Sequence, residues 1–181
     1  VLGAVNIEGA TVFSSEQLAQ SFEPFLASQV GQAELDKIAA DITDRYRRAG
    51  YLLSYAMVPE QSVQSGIVRI RVVEGYVDRV RIEADARTAA AVRSIAKGLH
   101  EDRPLRTSTL ERVLGLMRDV PGVIVSDTRL SRLPSDPARH QLTITLGANR
   151  VRGLLYSDNH GTIDGARIRG YSSVSLSSLA V

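Results

Sequence analysis

The stretch that decides the fold runs from Ser65 to Ala84 and reads SGIVRIRVVEGYVDRVRIEA. Apolar and polar side chains alternate before Glu74-Gly75 and alternate again after it, and this period of two predicts two β-strands. The connection between them is very short, as in a hairpin. The flanking sequence has to decide whether the chain folds back here or passes into a second domain.

The composition is that of an ordinary globular protein. The chain has 181 residues, of which 44% are apolar and 23% charged, and this length allows one ordinary domain or two small ones. It contains no cysteine, which excludes disulfides, thiolate catalysis and cysteine zinc sites. The net charge is +2, and the arginines are spread along predicted strands rather than clustered. This distribution argues against a nucleic-acid partner.

The residues before Gly75 predict the element order β-α-α-β-β. Ser14 and Gln17 form a capping-box pattern that opens the first helix, and Pro24 bends or interrupts this helix. The remaining predicted elements are a strand at Val5 and Ile7, a helix from about Leu35 to Tyr46 that ends at Ala49-Gly50, and strands at Tyr51–Val58 and Gly66–Glu74.

The residues after Gly75 repeat this order at a spacing of about 75 residues. The predicted elements are a strand at Val77–Glu83, a helix from about Ala86 to Lys97, a helix with a capping box at Ser108 and Glu111 that ends at Pro121-Gly122, and strands at Val123–Leu130 and Gln141–Leu146. Gly75 is therefore predicted to be a domain boundary with almost no linker. The predicted domains are residues 1–75 and 76–149, followed by a hairpin in residues 150–181.

The fold class that follows is α+β, with two tandem domains that each place a three-stranded mixed sheet under two helices. The interior faces are predicted at Val68, Ile70 and Val72 in the first domain and at Leu142, Ile144 and Leu146 in the second. Each sheet has two edges, and such edges can accept an additional strand.

The sequence shows no catalytic constellation. The histidines His100, His140 and His160 are far apart, and no HExxH, GxSxG, Walker or GxGxxG pattern occurs. Asp158 and the alternating polar residues after it lack the glycine and glutamate of a calcium loop, so a hairpin turn is favoured there. The prediction is a protein that is not an enzyme, with no cofactor and no metal.

Several segments carry a resemblance to a known family. They are Ala49-Gly50-Tyr51, the turn with Pro59 and Gln61, the strand that ends at Glu74-Gly75, and the hairpin residues Asp158, Asn159, Gly161 and Gly165. They resemble the periplasmic region of two-partner secretion transporters of the haemolysin and filamentous-haemagglutinin type, which carry two polypeptide-transport-associated (POTRA) domains before a β-barrel. The resemblance implies that residues 150–181 are the first strands of a truncated barrel. The plug helix and most of the barrel are absent, so the chain is expected to be a piece of a longer protein.

The family resemblance implies a location and a partner. The domains are expected in the periplasm, at the Gram-negative outer membrane. They are expected to capture the N-terminal secretion domain of an exoprotein in an unfolded state and deliver it to their own outer-membrane barrel. No nucleic acid or small-molecule substrate is expected. The alternatives are a POTRA module of an outer-membrane assembly factor and a structural spacer that binds no client.

The candidate client-binding residues lie on the predicted strand Tyr51–Val58. One face of it carries Tyr51, Leu53, Tyr55 and Met57. This face is expected either to bind the client by β-augmentation or to pack against the neighbouring domain. Three arginines at the end of the preceding helix, Arg45, Arg47 and Arg48, are expected to steer an acidic client.

Overall fold

The computed structural model describes residues 1–61, 66–148, 151–158 and 169–176. The helices are α1 (Ser15–Ala19), α2 (Gln32–Arg48), α3 (Ala86–Ala96), α4 (Gly98–Glu101) and α5 (Thr107–Asp119), with a 3₁₀ turn at Glu23–Phe25. The strands are β1 (Ala4–Glu8), β2 (Tyr55–Met57), β3 (Ile67–Val73), β4 (Tyr76–Glu83), β5 (Val123–Arg132), β6 (Arg139–Ala148), β7 (Val151–Asp158) and β8 (Arg169–Leu176). Among these described residues, no helix has the length and apolar character needed to cross a membrane.

The first unit is a mixed three-stranded sheet in the order β1-β3-β2. β1 runs parallel to β3, and β2 runs antiparallel to it. Val68, Ile70 and Val72 of β3 are buried against α1 and α2, as the period of two predicted. The α2 stripe of Leu35, Ile38, Ile42 and Tyr46 completes this core.

The second unit repeats this arrangement with the sheet order β4-β6-β5. β4 is parallel to β6, and β5 is antiparallel to it. Leu142, Ile144 and Leu146 of β6 are buried under α3 and α5, with Val92 and Met117 among their neighbours in the core. The predicted fold class, two β-α-α-β-β units with mixed sheets, is confirmed. β3 of the first sheet ends at Val73 and β4 of the second begins at Tyr76.

Two local predictions are wrong. The strand predicted at Tyr51–Val58 is limited to Tyr55–Met57, because Tyr51 to Ser54 form a turn in which the Ser54 N–H donates to the Tyr51 carbonyl at 3.1 Å. The predicted capping box of Ser108 and Glu111 does not form. The helix begins at Thr107 with Arg106 as its N-cap, two residues before the predicted N-cap Ser108, and the Asp102 carboxylate accepts from the Arg106 N–H at 2.9 Å.

The capping box at the first helix is confirmed. The Gln17 N–H donates to the Ser14 hydroxyl, and the Ser14 N–H donates to the Gln17 side chain. α1 ends at Ala19, and the 3₁₀ turn that contains Pro24 follows it, in agreement with the predicted interruption.

β7 and β8 pair as an antiparallel two-stranded sheet, with Val151 opposite Leu176 and Asp158 opposite Arg169. This pairing agrees with the hairpin that the sequence predicted in residues 150–181. The turn predicted between them, with Asn159, Gly161 and Gly165, lies outside the described residues.

Candidate functional site

A groove of about 440 Å³ lies between α2 and the edge strand β2. Small side chains of Ala39, Ala40 and Ala56 form much of its lining, and the longer Met57 and Val58 border it. A second depression, lined in part by Gln32 and Leu35, shares Val58 with it and extends toward the start of α2. The groove follows the sheet edge, so its shape suits an extended chain rather than a compact ligand.

The outward edge of β2 is already engaged at its centre. The Ala56 N–H donates to the Thr43 hydroxyl at 2.9 Å, and this hydroxyl donates to the Ala39 carbonyl of α2 at 2.8 Å. The central backbone donor of the edge is therefore not available to an incoming strand unless the Thr43 contact breaks. Binding in this groove has to rely more on side-chain contacts than simple β-augmentation would require.

The rim of this groove carries more negative than positive charge. Asp36 and Asp44 line it together with Arg47. Arg47 contacts the Asp44 carboxylate at 3.5 Å, and Asp36 accepts from the Gln32 side chain at 2.9 Å. The groove thus offers an apolar floor with no excess of positive charge.

The four predicted client-binding residues do not share one open face. The Tyr51 side chain is buried, and its hydroxyl accepts from the Arg106 Nε at 3.1 Å. Leu53 packs against the core of the second unit. The Tyr55 ring has the Arg132 guanidinium 5.3 Å from its centroid. Among these residues Met57 alone lines the groove, with 41% of its surface exposed.

The three predicted steering arginines point to different neighbours. Arg47 lines the groove beside β2. Arg45 donates to the Gln20 side chain at 3.2 Å and lies 5.7 Å from the Phe13 ring centroid. Arg45 and Arg48 line a separate depression with Gln20, on the α1 side of the helix. They do not form one positive patch at the groove.

Pro59 and Gln61 have a structural role at the end of β2. Continuing the register of β2 and β3 would place Pro59 opposite Arg69, but proline has no N–H to donate. The Gln61 side-chain amide supplies both a donor and an acceptor for the Arg69 backbone instead. It donates to the Arg69 carbonyl at 2.8 Å and accepts from the Arg69 N–H at 2.8 Å. The amide therefore ends the strand pairing and fixes the rim of the groove.

Glu74 connects three segments of the first unit. Its carboxylate accepts from the Thr11 N–H at 2.7 Å, the Thr11 hydroxyl, the Val12 N–H at 3.0 Å and the Tyr46 hydroxyl at 2.6 Å. Burial by itself would raise the pKa of Glu74, but the hydrogen bonds from Thr11, Tyr46 and Val12 outweigh it and lower that pKa. Burial and the bond to Glu74 raise the pKa of Tyr46. The Tyr46 hydroxyl therefore stays a donor and Glu74 a carboxylate at neutral pH.

Gly75 lies in a tight joint between the two units. A Cβ atom there would lie 2.5 Å from the Leu53 carbonyl oxygen, so no larger residue fits. The Gly75 carbonyl accepts from the Leu105 N–H at 2.9 Å, and its N–H donates to the Ser54 hydroxyl at 3.3 Å.

A second pair of contacts at Gly50 holds the same joint. The Gly50 carbonyl accepts from the Thr107 N–H at 2.8 Å and from the Thr107 hydroxyl at 2.9 Å. Gly50 has a φ of 88°, a conformation that favours glycine. The sequence indicated Gly50 as the end of a helix but gave no signal for Thr107 and Arg106, which act from more than fifty residues away.

No cluster of three or more potential metal ligands occurs within the described part of the chain. Of the histidines in that part, His140 is buried and lies 3.1 Å from the Ala138 carbonyl. His100 lies on α4 of the second unit.

Comparison with known proteins agrees with this fold. Residues 1–75 match the family described as POTRA domain, ShlB-type. The outer membrane transporter CdiB of Escherichia coli O6:K15:H31 is 27% identical over 192 residues, which cover 94% of this chain and 32% of that protein. The heme/hemopexin transporter protein HuxB of Haemophilus influenzae is 24% identical over 111 residues, which cover 60% of this chain and 20% of that protein. The chain thus spans a third or less of the length of these relatives.

Solved structures show the same fold. CdiB from Escherichia coli superimposes with a TM-score of 0.74 at 23% identity, covering 97% of this chain and 32% of that one. The N-terminal domain of Omp85 from Thermosynechococcus elongatus superimposes with a TM-score of 0.60 at 22% identity, covering 82% of this chain and 67% of that one.

The fold and the sequence matches define a POTRA-domain region. Residues 1–75 match the ShlB-type POTRA domain, and the relatives to which the chain is similar are transporters, in agreement with the resemblance seen in the sequence. The POTRA domains of such transporters lie in the periplasm, which confirms the predicted location at the outer membrane. The relatives are transporters, not enzymes.

Proposed function

We propose that this chain is the client-recognition module of a two-partner secretion transporter. In this role it captures the N-terminal secretion domain of an exoprotein in an unfolded state and delivers it to the outer-membrane barrel of the same protein. The observation that carries the proposal is the groove between α2 and β2, which has an apolar floor and follows an exposed sheet edge. Extended polypeptides are commonly recognised at such edges.

The engaged Ala56 N–H defines how the client binds. Because Thr43 already accepts from this group, the client places apolar side chains against Ala40, Met57 and Val58 and takes up backbone contacts at the ends of β2. This mode favours an unfolded client over a folded one, since only an extended chain reaches along the groove. It also gives weak binding, which suits a client that has to be released for delivery to the barrel.

The domain arrangement supports delivery. We infer that residues 1–75 and 76–149 are the two POTRA domains and that residues 150–181 begin the barrel. The joint at Gly75 and Gly50 fixes the first domain against the second through several hydrogen bonds. A client held in the first groove is therefore held at a defined position relative to the chain that leads into the barrel.

The test is to fill the groove without disturbing the core. Ala40 is an exposed residue of α2 that lines the groove, and Ala40→Trp places a large side chain in it. Ala90→Trp is the matched control, since Ala90 is an exposed helical alanine of α3 that lines neither groove. In the full transporter, Ala40→Trp is expected to reduce exoprotein release severalfold at unchanged transporter abundance in the outer membrane, while Ala90→Trp leaves release normal.

The same experiment separates the proposal from a structural spacer. Normal release from Ala40→Trp transporters that are folded and present would show that the groove does not bind the client. The firm joint between the units would then favour the spacer function.

A further inference from the structure

A second groove, of about 370 Å³, lies in the second unit. It follows an edge strand that is parallel to the central strand of its sheet, whereas the edge strand at the first groove is antiparallel to its neighbour. It runs between α3 and the edge strand β4, whereas the groove of the first unit runs beside β2. By the repeat, β4 corresponds to β1, so the two grooves are not equivalent positions in the two units.

The floor of this groove is apolar and fits an extended chain. Val80 and Ile82 of β4, spaced two residues apart, lie opposite Ala89 and Ala96 of α3. β4 pairs with β6 on one side and has no strand on its other side among the described residues. An extended segment along β4 can therefore place alternate apolar side chains against Val80 and Ile82.

The rim of this groove is cationic and not neutralised. Arg93 and Lys97 of α3 line it, together with His100 of α4. Neither Arg93 nor Lys97 takes part in an ion pair within the described residues. The carboxylate of Asp78 on β4 is already bound by Arg139 at 2.7 Å. The charge is thus opposite in sign to the acidic excess at the first groove, where Asp36 and Asp44 outnumber Arg47.

From the apolar floor, the open strand edge and the uncompensated cations, we propose that the α3–β4 groove is a second docking site for the translocating client. Its occupant is an extended segment in which apolar and acidic side chains alternate. The apolar side chains contact Val80 and Ile82, and the carboxylates contact Arg93 and Lys97. The identity of the occupant as client rests on the proposed function, but the groove is a separate surface with a separate charge preference.

The probe is an eight-residue synthetic peptide of alternating valine and glutamate, which is as long as β4. Its binding to the whole 181-residue chain is measured by fluorescence anisotropy, with a valine–lysine peptide for comparison. Because the chain has no cysteine, a single cysteine at Ala90, which is next to Ala89 but does not line the groove, carries a spin label that reports where the peptide binds.

Two kinds of variant test the site. The double variant Arg93→Glu/Lys97→Glu is expected to weaken the valine–glutamate peptide roughly tenfold, since two favourable charge contacts become unfavourable. The control Arg87→Glu/Arg118→Glu changes the net charge by the same amount at exposed arginines of the same unit that do not line the groove. It is expected to change binding less than twofold. Ala89→Trp, which fills the groove, is expected to abolish binding, and Ala90→Trp to leave it intact.

Three results would overturn the proposal. One is equal weakening by the two charge-reversal pairs. The second is loss of peptide binding in Ala40→Trp but not in Ala89→Trp, which would move the peptide to the first groove. The third is binding of phosphatidylglycerol vesicles, sensitive to Arg93 and Lys97, without binding of the peptide, which would make this surface a membrane contact. Normal secretion by the Ala40→Trp transporter would refute client binding in the first groove and leave these peptide results unaffected.

Discussion

Replacing Glu74 by alanine is expected to destabilise the first unit by about 2–3 kcal/mol. The substitution leaves the Tyr46 hydroxyl, which belongs to a fully buried residue, and the half-buried Val12 N–H without their acceptor. Each such loss at a charged acceptor costs about 1–1.5 kcal/mol in a partly solvated site. The bonds to Thr11 are exposed and add little, because water replaces them.

The assay is urea unfolding followed by circular dichroism, together with a double-mutant cycle of Glu74→Ala and Tyr46→Phe. Because both changes remove the same hydrogen bond, their effects should be less than additive, with a coupling of about 1 kcal/mol. The control is Glu83→Ala, which removes an exposed carboxylate that contacts Arg81 at 3.2 Å, and it should change stability by less than about 0.5 kcal/mol. A Glu74→Ala loss no larger than that of the control, or full additivity with Tyr46→Phe, would refute the account of Glu74.

Two further predictions concern acid and the joint. The folded-state pKa of Glu74 is lowered, so its contribution is fully present above the ordinary glutamate pKa of about 4.3 and is lost as pH falls through the lower folded value. As pH is lowered through this range, the urea midpoint should therefore fall more steeply in the wild type than in Glu74→Gln. Equal slopes of urea midpoint against pH for the two proteins would contradict this. Gly75→Ala should cost about 1–3 kcal/mol, because its Cβ meets the Leu53 backbone, and should expose the joint to limited proteolysis. Gly115→Ala is its control, since nothing lies within 4 Å of that Cβ in α5, and it should be neutral or stabilising; equal effects of the two would argue against a tight joint.

The sequence predicted those parts of the fold that depend on local periodicity. Val68, Ile70 and Val72 alternate because one face of β3 is buried, and this pattern is visible without the structure. The repeat of element order after Gly75 is equally visible. Both cores therefore agree with the prediction.

The error at Tyr51–Val58 has a clear physical cause. Leu53 packs across the joint against the core of the second unit, whereas Tyr51 packs in the core of the first unit and its hydroxyl reaches Arg106, so neither residue is apolar because of alternation along a strand. In the sequence, an apolar residue that packs across a domain joint cannot be distinguished from one that faces the core of a sheet. The helix start at Thr107 was missed for a related reason, since Gly50, which accepts from Thr107, and Tyr51, which accepts from the Arg106 side chain, are distant in sequence.

The grooves were not predictable from the sequence either. The first depends on the Thr43 hydroxyl reaching the Ala56 N–H, and the second on α3 placing Arg93 and Lys97 beside β4. Both are contacts between a helix and a sheet edge that no spacing rule specifies. The sequence did indicate that each sheet has two open edges, because a three-stranded sheet always has two, but it did not indicate which strands form them.

The central claim is that an unfolded client lies in the groove between α2 and β2 during secretion. The most direct measurement replaces Met57 with a photoreactive phenylalanine analogue in the full transporter and illuminates cells in which export is under way. Met57 is exposed and lines the groove, so the account predicts a covalent adduct with the exoprotein there and none from the same analogue at Leu116, which is exposed to a similar degree and lines neither groove. Equal adducts at both positions, or adducts at Leu116 alone, would contradict it.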